Sequence, residues 1–222
     1  MYLRVFSVSA FVTCCMAVWP APQSFEAGNS VVWLARDFHV SYNYGNVCQS
    51  PQTCRISEQK LTLQTAAGFS HATPTNPRTL TSSRIVRNAV LRTRKILFEQ
   101  NITPWKRLPR NTLSSYEPRT NDTKINIDRL NIVQTKPDNS ASLRPVAGDV
   151  DESYNLTIGE DGAAKITAVT STGVLHALNT FTQLFYRHSS GLGVYTKLAP
   201  IHISDVPQFS HRGLNMDVAR NW

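Results

Sequence analysis

At 222 residues the chain is long enough for one or two domains and a substantial core. A charged fraction of 17% and an apolar fraction of 41% exclude a disordered, solvating class. The net charge of +8 would admit a nucleic-acid or membrane partner, but the basic residues are spread and no aromatic platform interleaves with them, so neither is expected.

The first 17 residues read as a secretory signal. Arg4 supplies a short basic region, Val5 to Met16 is mostly apolar, and Cys15 and Ala17 are small residues placed for cleavage after Ala17. The run is too short to span a bilayer. Export to the extracellular space or cell wall is the expected localisation, with a lysosome or vacuole as the alternative. Removal of the signal takes Cys14 and Cys15 with it and leaves Cys48 and Cys54. In an exported chain that pair favours a small-loop disulfide, and two cysteines without further partners do not make a tetrahedral metal site. Asn101, Asn121 and Asn155 each begin an N-x-Ser/Thr triplet and are candidate glycosylation acceptors.

Residues 18 to about 44 read as paired strands: Val31, Val32 and Leu34 precede a polar stretch, and Phe38, Val40 and Tyr42 then alternate with polar neighbours. Residues 45–82 are rich in Ser, Thr, Gln, Asn and Pro and read as a long surface insertion. From Ser83 to Gln100 the apolar residues recur near the helical period, with Arg87, Arg92, Arg94 and Lys95 on other faces. Pro104, Pro109 and Pro118 mark a loop over 101–122, and strands resume from Lys124 to Val133. Tyr154, Leu156 and Ile158 share one face of a strand, Asp161-Gly162 signals a turn, and Ala164, Ile166 and Ala168 continue a return strand. Val174, Leu175, Leu178, Phe181 and Phe185 form a helical stripe, expected to end at Gly191 and Gly193. A further strand pair is expected over Val194 to Ile203. This order predicts an α+β fold, a sheet with helices on one face.

Six histidines show no metal spacing, and His-Glu-x-x-His is missing. Neither metal nor cofactor is expected. Ser210-His211 is adjacency rather than a nucleophile–base pair, because strand neighbours point to opposite faces. At the carboxyl end a strand from Gly213 to Met216 would deliver Arg220 at or just beyond its end. Taken alone, Arg220 reads as half of an ion pair with Asp217 or another carboxylate.

Four stretches point further. Ser204-Asp205-Val206-Pro207-Gln208-Phe209-Ser210-His211-Arg212-Gly213, continuing to Arg220, is joined by Asp151-Glu152-Ser153-Tyr154-Asn155-Leu156-Thr157-Ile158, by the helix holding Thr180-Phe181-Thr182-Gln183-Leu184, and by Trp19-Pro20-Ala21-Pro22-Gln23. Together they resemble the amino-terminal portion of the β-N-acetylhexosaminidases, glycoside hydrolase family 20. The resemblance is close from Asp151 onward and weak between Gly45 and Thr120.

It implies a zincin-like domain over 18–207 carrying the 45–82 insertion, followed at 208–222 by the first strand of a truncated (β/α)8 barrel. The parent enzyme would remove terminal N-acetylhexosamine, GlcNAc or GalNAc, from chitin oligomers or glycoconjugates. Catalysis would be substrate-assisted and retaining. Arg220 would then bind sugar hydroxyls, for which a planar fork of donors is well shaped, and Arg212 and Asp217 would hold the barrel start. Asp151-Glu152 lacks the glycine context of the family's catalytic pair, so no catalysis is carried onto it. The chain alone is expected to be inactive, its partner being the missing barrel, with a homodimer open to the complete enzyme. The alternative is a non-catalytic secreted module that binds a partner or glycan.

Overall fold

A computed structural model describes residues 18–44, 81–100, 116–120, 124–138, 148–209 and 212–213. In chain order these form β1 (Ser24–Tyr44), α1 (Ser82–Lys95) with a π turn over Ile96–Gln100, β2 (Asn126–Gln134), β3 (Tyr154–Ile158), β4 (Ala163–Ala168), α2 (Ser171–Gln183), β5 (Tyr186–Arg187) and β6 (Val194–Asp205). The strands make one mixed sheet in the order β1-β2-β4-β3-β6-β5. β1 runs parallel to β2 and β2 parallel to β4, and the remaining neighbours are antiparallel. β1 also pairs antiparallel with β6.

Alternation decides which face is buried. Tyr154, Leu156 and Ile158 of β3, Ala164, Ile166 and Ala168 of β4, and Leu130 and Ile132 of β2 all point into the core. Full burial of each larger aliphatic side chain is worth about 2 kcal/mol. α2 covers this face with Val174, Ala177, Leu178 and Phe181. Thr170 caps it, accepting from the Gly173 amide at 3.3 Å while its hydroxyl donates to the Asp151 carbonyl at 2.6 Å. Gly173 is required there: a Cβ would lie 2.4 Å from the Ser153 carbonyl. α1 lies beside α2 and buries Val86, Ala89, Val90 and Thr93. On the other face Asn155, Lys165, His202 and Ser204 are exposed.

Two expectations are corrected. Residues 24–44 form one strand rather than a pair, with a register shift between Leu34 and His39 where a turn was expected. The polar stretch bulges because Arg94 of α1 donates to the carbonyls of Arg36 (2.9 Å) and Phe38 (3.3 Å), and its guanidinium sits 5.0 Å above the Phe38 ring. Residues 194–205 are likewise one strand. Pro200 offers no amide, yet it is accommodated where the register of β1 shifts between Ala27 and Ser30. Gly28 makes this approach feasible, since a Cβ there would be 2.4 Å from the Ala199 carbonyl.

α2 also stops at Gln183, before the glycines expected to end it. Tyr186 and Arg187 pair with Tyr195 and Val194, and Gly191 takes a positive φ of 75° in the connecting turn. The insertion at 45–82 and the expected barrel strand lie outside the described residues, apart from Thr81, Ser82 and Gly213. Among the described residues no helix is long and apolar enough to cross a membrane.

Candidate functional site: a groove at the exit of the last strand

A groove of about 650 Å³ opens where β6 leaves the sheet. Three segments build it. α2 presents His176, Asn179, Thr180 and Gln183 at helical spacing, which puts them on one face. The run-in to β1 contributes Trp19, Pro20, Ala21 and Gln23, and the exit of β6 contributes Asp205 to Phe209. Tyr154, at the start of β3, forms part of the floor.

Side-chain amides and carboxylates hold these segments together. Gln183 accepts from the Trp19 amide at 2.7 Å and donates to the Trp19 carbonyl at 3.0 Å, so one side chain satisfies both backbone groups of a residue 164 positions away. Asp205 accepts from the Gln23 amide at 3.2 Å. Glu152 accepts from Arg212 at 2.6 Å and lies 3.5 Å from His176 Nε2. Arg212 also donates to the Phe209 carbonyl, and both residues line the groove.

Tyr154 shares a 2.6 Å hydrogen bond with Thr180. Burial, reinforced by the Asp205 charge and only partly offset by Thr180, pushes its phenol up to about 12, so it remains a neutral hydroxyl near neutral pH. The rim is apolar. Trp19 is 80% exposed, Phe209 67% and Val206 53%, a concentration of large side chains in water that the rest of the described surface does not repeat.

A second polar cluster lies at the other end of β6, and it is closed. Glu117 accepts from the Ser189 amide at 2.8 Å and from the Ser189 hydroxyl at 2.5 Å. The Ser190 amide donates to His188 Nδ1 at 3.1 Å, so Nε2 carries the ring hydrogen and gives it to the Pro118 carbonyl at 3.1 Å. Lys197 donates to the Tyr116 carbonyl at 2.7 Å. Trp33 packs on His188 and Tyr195, with ring centroids 5.6 and 5.4 Å away. The Ser190 hydroxyl also reaches Nδ1 at 2.8 Å. Its own backbone amide occupies the same lone pair, which makes this a turn-closing contact rather than an activated nucleophile. Among the described residues the Tyr195 hydroxyl is buried without a partner, and burial, then the Glu117 charge, raises its pKa well above the usual value.

Of the residues singled out in the sequence, Asn155 is on β3, exposed on the face opposite the helices. Arg220, Asp217, Cys48, Cys54, Asn101 and Asn121 lie outside the described residues. Arg212 is brought to Glu152, a partner that the sequence did not indicate. Gln183 and Asp205 were also missed as site residues. A lone Gln closing an apolar helical stripe was the available signal for the first. Among the described residues, no three of His, Cys, Asp or Glu converge on a metal position.

The mixed sheet and its two helices define an α+β domain with an open groove at the exit of its last strand. The chain matches a family model described as "beta-acetyl hexosaminidase like" over residues 18–184. It is 33% identical over 217 residues to a beta-hexosaminidase of Arthroderma benhamiae, covering 92% of this chain and 34% of that protein. A beta-hexosaminidase of Emericella nidulans is 45% identical over 75 residues, covering 33% of this chain and 12% of the relative. Among solved structures, the chitobiase of Flavobacterium johnsoniae aligns with a TM-score of 0.52 at 22% identity, covering 93% of this chain and 23% of that one, a likeness of fold. This chain therefore belongs to the β-acetylhexosaminidase-like family of glycoside hydrolase family 20 and corresponds to the amino-terminal part of its relatives. It spans about a third of the length of the Arthroderma protein.

Proposed function

We propose that the chain is the small amino-terminal domain of a secreted β-N-acetylhexosaminidase. The complete enzyme removes terminal GlcNAc or GalNAc from chitin oligomers or glycoconjugates by substrate-assisted retaining catalysis, and the groove is where this domain seats the catalytic barrel. The family match across 18–184 carries the reading. The groove's composition supports the seating role. Trp19, Val206 and Phe209 offer apolar area, Tyr154 and Asn179 line it with polar groups, and the Glu152–Arg212 pair anchors the segment that leads toward Arg220. The described carboxylates of the groove are committed to Arg212 and to a backbone amide. On this reading the 222-residue chain alone does not hydrolyse glycosides, and Arg220 serves as a sugar-binding donor only within the complete enzyme.

The test is the mass of the native product, read with its hydrolysis of a chromogenic β-N-acetylglucosaminide. A product well above the mass of this chain that hydrolyses the substrate is expected. Hydrolysis by the 222-residue chain on its own would overturn the division of labour. A stable product of this length without hydrolysis would favour a second reading, a glycan- or partner-binding module. One observation supports that alternative: exposed Trp19 and Phe209 line the same groove as the Asn179 amide, and aromatic planes beside a planar polar group can also serve a sugar. Calorimetric titration of the chain with GlcNAc oligomers distinguishes the two readings.

A further inference from the structure

We infer that Asn155 carries an N-linked glycan standing on the open face of the sheet. The acceptor triplet is Asn155-Leu156-Thr157, and in a strand the first and third residues point the same way while the middle one points opposite. β3 follows this pattern. Leu156 is fully buried, Asn155 is exposed, and Thr157 is partly exposed on the same side. The acceptor amide and its hydroxyl therefore share the solvated face, and the apolar residue between them anchors the strand.

The surroundings fit a glycan stem. Asn155 is flanked by Thr167 on β4 and Ser204 on β6, both short and polar, and neither blocks the approach to the amide. Among the described residues the exposed large apolar side chains lie elsewhere, in the run-in, α1 and the π turn after it, the β5–β6 turn, just before β2 and at the exit of β6. A permanently covered interface would be expected to carry some of them. Placement on an interior strand is no obstacle, because transfer acts on the unfolded chain and the fold need only leave the nitrogen outside. In that transfer the Asn155 carboxamide nitrogen bonds to the anomeric carbon of a lipid-pyrophosphate-linked oligosaccharide. The bond from that carbon to the pyrophosphate breaks, the lipid pyrophosphate leaves, and the nitrogen gives up one proton. The glycan then keeps this face free of protein partners, so the rest of the enzyme is left to seat at the groove.

This inference rests on the proposed export, and its test separates the two. The full chain is expressed in a glycosylating eukaryotic cell, once behind its own first 17 residues and once behind a heterologous export leader. The exported product is treated with peptide N-glycosidase in heavy-oxygen water, and the peptide spanning residue 155 is read by mass. Conversion of Asn155 to labelled Asp behind the heterologous leader is expected. It should be lost in Thr157→Ala and retained in Thr157→Ser, both exposed-face changes that leave the core intact. An unconverted Asn155 in exported protein overturns the inference. Conversion behind the heterologous leader without export behind the native one upholds the acceptor and overturns the export reading instead.

Discussion

The two ends of β6 are finished differently. At its start the chain closes over itself: Glu117 takes the amide and hydroxyl of Ser189, His188 and Lys197 take the carbonyls of Pro118 and Tyr116, and Trp33 and Tyr195 seal the cluster. At its end Trp19, Val206 and Phe209 stand in water around a groove whose polar groups are held in place but not covered. On the proposed function, the completed end serves the stability of the domain and the open end its seating on the rest of the enzyme. The two ends should therefore respond differently to substitution, the closed end in stability and the open end in association.

The largest expected effect is at the closed end. Glu117→Ala removes the acceptor for both the amide and the hydroxyl of Ser189 and leaves residues 116–120 tied there by the His188 and Lys197 bonds alone. A loss of about 2 kcal/mol is expected, read from the urea midpoint of the purified chain, since hydrogen bonds to an ionised group are the stronger kind. Glu117→Gln keeps the shape and should lose less. A midpoint unmoved by Glu117→Ala would mean that this end is not closed by those bonds. Tyr195→Phe has the opposite sign. The hydroxyl it deletes is buried without a partner, so the variant should be more stable by about 1 kcal/mol.

Tyr154 belongs to the open end but lies beneath its floor. Tyr154→Phe deletes the bond to Thr180 at a cost of about 1 kcal/mol. It also changes the response to alkali. The folded-state value is raised from 10.0 to about 12. The unfolded chain thus ionises first as pH rises, and the stability associated with the neutral phenol is present below pH 10 and lost between about 10 and 12. Tyr195 is shifted in the same direction. A pH series of urea midpoints should therefore show a shallower alkaline decline in Tyr154→Phe, not a flat one.

How much of this contrast was legible in the sequence depends on how local its causes are. β3, the Asp161-Gly162 turn, β4 and the start of α2 follow from strict alternation, a turn dipeptide and a helical stripe, and were found where expected, although α2 ends earlier than its glycines suggested. β1 was read as a pair because a polar stretch follows Leu34, and β6 was likewise expected to be a pair. What keeps each strand whole comes from far along the chain: Arg94 takes up the carbonyls of the bulge, and Gly28 makes room at Pro200. The groove was less legible for the same reason. Gln183 meets Trp19, and Arg212 meets Glu152, only once sheet and helix have brought together residues 164 and 60 positions apart. Arg220, the residue favoured by the family resemblance, lies outside the described residues.

The smallest effect on the isolated chain should be the most informative about its purpose. Arg212 is paired with Glu152 but substantially exposed, so Arg212→Ala should cost no more than about 0.5 kcal/mol. Trp19→Ser and Phe209→Ser remove rings that are mostly in water, and the Gln183 bonds to Trp19 use its backbone alone. Their urea midpoints should stay within about 0.5 kcal/mol of the parent. In the complete enzyme the same two substitutions should lower thermal stability and hexosaminidase activity together, because they uncouple the docked barrel rather than unfold this domain. A large loss of stability in the isolated chain would instead make the groove part of the core. No loss in the complete enzyme would mean that the groove faces solvent there, and the comparison between the two ends of β6 would lose its functional meaning.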